Sequence, residues 1–234
     1  MAIEEYMNQF FNFLEIIGTV AFSISGAILG IKKNMDIFGV TVLGLVTAVG
    51  GGITRDIVLG RIPPRTFQDP VCAAVAIASA LAVFLFYVLP KKNTRNFQRQ
   101  FDFLLLAMDS LGLGIFTING IASALRISKD YNLLLLVFVG GITGVGGGIL
   151  RDILVGDRPY VFIKHIYACA SIVGALIYIK LLDVLPDLYA TLIGIGSIVA
   201  VRLLSSHFRW NLPTALAIRR RLERRRAEHC LNDE

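Results

Sequence analysis

Only three of the 234 residues are cysteine, Cys72, Cys169 and Cys230, and they form no CxxC pair and no metal spacing. His165, His207 and His229 likewise lack the i, i+4 helical partner that would complete a metal site. There is no P-loop for phosphate and no nucleophile set beside a base. These absences leave an enzyme reading without support and imply no cofactor. Residues 1–12 carry Glu4 and Glu5 but no basic residue, so the positive n-region of a secretory signal is missing and the first apolar run is expected to stay as a helix. Long linkers are missing too; the connections are short and hold most of the charge.

What the chain has in excess is apolar sequence, 55% of residues with a mean hydropathy of +0.68. Seven runs, at residues 13–31, 38–59, 71–89, 103–125, 133–155, 161–182 and 185–204, approach or exceed the length that marks a bilayer span. A soluble core helix would keep a polar face. Residues 72–89 have none. Cys72 and Cys169 lie in such runs and are expected to be buried, inert thiols. The sequence therefore specifies an all-α membrane protein of seven transmembrane helices.

The formal charge of +6 could suggest nucleic acid, but its placement argues for orientation. With seven spans the termini lie on opposite faces. The N-terminal face holds five basic residues, Arg61, Arg65, Arg126, Lys129 and Lys180, against fifteen on the other face, six of them between Arg219 and Arg226. The positive-inside rule then places the C-terminus in the cytoplasm and the N-terminus outside a prokaryotic plasma membrane. The basic tail could also be drawn to anionic lipid.

The chain repeats itself. The run from Val49 to Gly60 matches that from Val145 to Gly156 at nine of twelve positions, offset by 96, and Pro63 and Pro159 keep the register. At an offset of 94, Phe22-Ser23-Ile24-Ser25-Gly26 faces Phe116-Thr117-Ile118-Asn119-Gly120, Gly18 faces Gly112 and Glu15 faces Asp109. Each unit holds three spans, so the second must enter the membrane from the opposite face. The expected organisation is two inverted three-helix repeats at 1–95 and 96–183, a seventh helix at 184–206 and a basic tail at 207–234.

The repeats mark the candidate site. The triplets Gly50, Gly51, Gly52 and Gly146, Gly147, Gly148 offer places where helices two and five could bend or unwind, exposing carbonyls to a small cation. Close helix packing is the alternative reading. Arg55, Asp56, Arg151 and Asp152 carry charge within spans, where charge is costly and usually paired or hydrated. Neighbours on a helix do not face each other, so pairing across the repeats is expected, Arg55 with Asp152 and Arg151 with Asp56. The alternative is a structural role at helix ends. Glu15 and Asp109, near the starts of spans one and four, could attract cations or complement a helix dipole. Ser25 and Asn119, with Ser23 and Thr117, could line a path or bond across helices.

On these motifs the chain resembles prokaryotic members of the trimeric intracellular cation channel family, the branch also described as glycine transporters. The resemblance covers nearly the whole chain. It implies a homotrimer in the lipid bilayer, a pore in each protomer passing bent second and fifth helices, and conduction of potassium and sodium. By position, the two glycine triplets would be hinge and pore-backbone residues, flanked by Arg55, Asp56, Arg151 and Asp152. Animal members carry a lysine-containing motif tied to phosphoinositide lipid; here Gly52-Ile53-Thr54-Arg55-Asp56 stands in its place. The expected function is a passive monovalent-cation channel, with a secondary transporter for glycine or a similar small solute as the alternative and a lipid-organising role of the tail as a third.

Overall fold

The computed structural model describes residues 2–89, 94–163, 166–208, 210 and 219. Among these the chain forms α1 (Ala2–Lys32), α2 (Ile37–Val58), α3 (Arg65–Gln68), α4 (Val71–Val88), α5 (Thr94–Leu125), α6 (Leu133–Leu154), α7 (Tyr160–Ile163), α8 (Tyr167–Leu181) and α9 (Asp187–His207). Most of the expected tail, with Cys230, His165 and His229, lies outside the described residues.

Six helices, α1, α2, α4, α5, α6 and α9, are long and apolar enough to cross a membrane, and α8 is a shorter apolar helix. The continuous sixth run expected at 161–182 is not a single helix. Its start forms α7, because the Asp152 carboxylate accepts the Tyr160 backbone N–H at 2.8 Å and folds the chain back onto the end of α6. Asp56 does the same for Arg65 at the start of α3, at 2.9 Å. Helices α1 and α5 begin before their apolar runs, so Glu15 and Asp109 stand well inside them rather than at their N-termini. That removes the helix-dipole reading for both acids.

The sequence duplication is matched in the packing. Helices α1, α2, α5 and α6 form the centre; α4 covers α1 and α2, while α8 and α9 cover α5 and α6. Asp36 caps α2 by accepting from the Gly39 N–H at 2.7 Å, and Asn132 caps α6 by accepting from Leu135 at 2.8 Å. At the other ends Gly60 and Gly156 take positive φ of 72° and 74°. There the N–H groups of Arg61 and Asp157 close onto the carbonyls of Asp56 and Asp152, a Schellman ending that needs a left-handed residue.

Small residues set the spacing of the central helices. Gly26 sits against Thr47 and its mate Gly120 against Thr143, where an added methyl would come within 2.6 Å of each hydroxyl. Ser23 donates to the Ala76 carbonyl at 2.6 Å, joining α1 to α4, and Thr117 bonds Ser171 at 2.9 Å, joining α5 to α8. The outer helices are different. On α4 only Ala76 and Ala80 are buried, so its apolar face suits lipid or another protomer. For the same reason the expected burial of the thiols fails: Cys72 is half-buried and Cys169 is exposed on the outside of α8.

Candidate functional site

The glycine triplets do not break their helices. Both α2 and α6 run unbroken through Gly50–Gly52 and Gly146–Gly148. The expectation of bent or unwound backbone with freed carbonyls is thereby corrected. Glycine serves close approach instead. A methyl on Gly51 would overlap the Thr143 carbonyl oxygen, and one on Gly147 would overlap that of Thr47. The two helices cross backbone to backbone at this pair, which only residues without a side chain allow. A methyl on Gly50 would come within 2.5 Å of Leu150 Cδ1, and one on Gly146 would stand 3.3 Å from Gly51 Cα.

On either side of the crossing lies a buried polar cluster, and neither uses the expected cross-repeat pairing. Arg55 Nε donates to Asp56 Oδ1 at 2.8 Å, and Arg151 Nε to Asp152 Oδ1 at 2.9 Å. Sequence neighbours do meet here, because each arginine is long enough for its Nε to turn back to an aspartate held in place by the start of the next short helix. The outer ends of the guanidinium groups reach the acids of the preceding central helix. Arg151 Nη1 donates to Asp109 Oδ1 at 2.7 Å, while Arg55 Nη1 stands 3.7 Å from Glu15 Oε1. Within these buried clusters the link between the units is a hydroxyl: Arg151 Nη1 also donates to Ser25 Oγ at 2.6 Å. Asn119, the mate of Ser25, is buried, and its Nδ2 has no partner among the described residues.

Asp109 gathers more than its acid mate. Tyr167 Oη donates to Oδ1 at 3.3 Å, and Arg202 Nη2 from α9 approaches Oδ2 at 3.5 Å. The Arg202 guanidinium lies 4.5 Å above the Tyr167 ring, within cation–π range. Glu15 keeps 15% of its side chain exposed and has a second cation, Arg65 Nη1, at 3.6 Å. It lines a small pocket, open to the protein surface, with Asn12, Ile16, Asp69 and Cys72.

The structure thus brings Glu15, Arg55 and Asp56 together, and separately Asp109, Arg151, Asp152 and Ser25. Arg202 and Tyr167 were not singled out from the sequence. The signal for Arg202 was present: it is a basic residue near the end of the last apolar run, 185–204, where a charge is costly unless paired. A lone tyrosine at the start of a run gives no comparable signal.

The family model described as "Glycine transporter" matches residues 12–88 and 106–183, two stretches that begin 94 residues apart, the offset of the Phe22–Gly26 block. A membrane protein of Deinococcus radiodurans is 40% identical over 166 residues, 70% of this chain and 73% of its own. The inner membrane protein YadS of Escherichia coli K12 is 34% identical over 199 residues, 85% of this chain and 92% of its own. Among solved structures, a prokaryotic TRIC channel in potassium chloride superposes with a TM-score of 0.78 at 31% identity, over 88% of this chain and 100% of that one. A structure concerning conductance through TRIC cation channels matches with a TM-score of 0.73 at 36% identity, over 87% and 96%.

Proposed function

The chain belongs to the family of the trimeric intracellular cation (TRIC) channels, and on that premise we propose that it is a passive channel for monovalent cations, potassium and sodium, with a path inside each protomer. The observation that carries this reading is the burial of Arg55, Asp56, Asp109, Arg151 and Asp152 inside apolar helices, flanking the α2–α6 crossing. Ionisable groups at membrane depth cost free energy and are usually paired or set beside water. Here they are arranged twice, on both sides of one constriction. Hydroxyl and amide groups continue the lining at Ser25, Thr47, Thr117 and Asn119. The glycine triplets form the narrowest point, closed in this conformation, and Glu15 concentrates cations at the open pocket.

In this reading the two units are inverted in the plasma membrane, with the N-terminus outside and the basic C-terminus cytoplasmic. Three protomers associate within the lipid through outer helices such as α4. Potassium-loaded vesicles test the function. Reconstituted protein releases potassium down its gradient, and Gly147→Leu, which wedges the crossing, alters the release; unchanged release would remove the path from the crossing. A second reading, uptake of glycine or a similar small solute, draws on the family model's description and on the acid and arginine facing each other at Glu15 and Arg65. Saturable glycine uptake without potassium release would select it.

A further inference from the structure

The two polar clusters are repeat mates, yet one is open and the other is filled. Helix α4 begins at Val71 and its counterpart α8 at Tyr167. Val71 and Cys72 line the pocket at Glu15, whereas Tyr167 is fully buried and points its hydroxyl at Asp109. The glycines report the same difference independently. A methyl on Gly148 would stand 3.0 Å from the Tyr167 hydroxyl, whereas on its mate Gly52 the nearest atom is Arg55 Nη2 at 3.9 Å. Arginines are also supplied differently. The second cation of the first cluster is Arg65 at the start of α3, with 43% of its side chain exposed. The matching place on α7 holds Tyr160, and the second cluster takes its cation from α9, outside the repeat, as buried Arg202.

We infer that Tyr167, held by Arg202, is a plug: it fills in the second unit the space that stays open beside Glu15 in the first. The duplicated interior is therefore unequal at its two ends. In terms of the channel proposed above, on which this consequence rests, the Asp109 end is the restricting one and Arg202 is the positioning residue that keeps it shut. Asp109 is fully buried and faces two guanidinium groups, so a cation cannot reach it until Tyr167 and Arg202 move aside. Glu15 has no such cover.

Thiol chemistry tests the plug without reference to any transported solute. With Cys169 and Cys230 replaced by serine, Cys72 at the open pocket reacts readily with a small, positively charged methanethiosulfonate. Ile16 lines the same pocket, and its mate at the repeat offset is Ser110, which is fully buried. With Cys72 also replaced, Ser110→Cys reacts about ten-fold or more slowly than Ile16→Cys, since access controls the rate. Tyr167→Val then accelerates the slow site by about the same factor, and Tyr167→Phe, which keeps the ring, does not. Equal rates at the two positions, or no acceleration by Tyr167→Val, overturn the plug. Should Tyr167→Val fail to fold, Arg202→Gln releases the ring from its hold, and the slow site accelerates by a smaller factor because the ring still returns to its place; no acceleration overturns the plug.

Potassium release from vesicles tests the consequence. Tyr167→Val raises release several-fold while chloride stays excluded; a merely loosened fold would pass both ions. Potassium release by wild type that Tyr167→Val leaves unchanged shows that the plug is not restricting. If no variant passes potassium but the thiol pattern holds, the channel reading falls and the plug stands.

Discussion

Alanine placed at successive glycines of one triplet should change stability in opposite directions. At Gly51 the new methyl overlaps the Thr143 carbonyl oxygen and stands 3.1 Å from its carbon and 3.5 Å from the Gly147 nitrogen. All three are backbone atoms, so no flexible side chain can turn away and the helices must part. Overpacking of this kind costs about 1–3 kcal/mol, and a backbone contact belongs near the top of that range. Alanine recovers about 1 kcal/mol of helix propensity, leaving Gly51→Ala less stable by about 2 kcal/mol. At Gly52 the methyl meets only Arg55 Nη2 at 3.9 Å, ordinary contact distance. Gly52→Ala should therefore gain about 1 kcal/mol from propensity alone. The two neighbours differ by about 3 kcal/mol on these terms. Unfolding in detergent micelles, followed by loss of far-ultraviolet helix signal, measures the gap. If the triplet existed to bend the helix, both alanines would straighten and stabilise it alike. Equal shifts of one sign would refute the close-approach argument.

Three further outcomes use the same assay. Arg151→Gln leaves Asp109 and Asp152 buried without their shared cation and should cost about 3–5 kcal/mol; Arg55→Gln should cost less, because Glu15 is partly solvated and keeps Arg65. Asp36→Ala and Asn132→Ala should each lose about 1 kcal/mol, the usual value of an N-cap, and a loss at only one would break the equivalence of the two units. Gly60→Ala and Gly156→Ala should each cost about 1–2 kcal/mol, since their positive φ burdens any residue with a Cβ.

What the sequence made legible was the part governed by repetition and by solvent. Seven apolar runs, two units and the mated polar residues follow from spacing and from the cost of burying charge. Partner choice did not follow. Gly51 and Gly147 could bend a helix or let one approach, and only the position of Thr143 and Thr47 on the facing helix decides between them. Arg55 and Asp56 looked unable to meet because helical neighbours diverge; the aspartate is fixed from beyond the helix end, by the Arg65 N–H, and the arginine reaches back to it. Run length also concealed that α7 is a short helix apart from α8, its start held by the Tyr160 N–H on the Asp152 carboxylate.

Helix α9, which lies beyond the two stretches that repeat, makes the two clusters unequal. Two identical units packed together would present the same acid in the same setting at each end, and neither end could be distinguished by a passing cation. Adding α9 on one side alone supplies Arg202 to Asp109 and leaves Glu15 with the half-exposed Arg65. Charge therefore balances in both clusters, but by groups that differ in mobility: one arginine is locked between a carboxylate and an aromatic ring, while the other sits at the surface. A pair with one half-exposed partner rearranges at less cost, whereas parting a fully buried one uncovers charge in an apolar interior. In the channel proposed above, opening begins at Glu15 and ends at Asp109, and Arg202 of α9 decides how difficult the last step is.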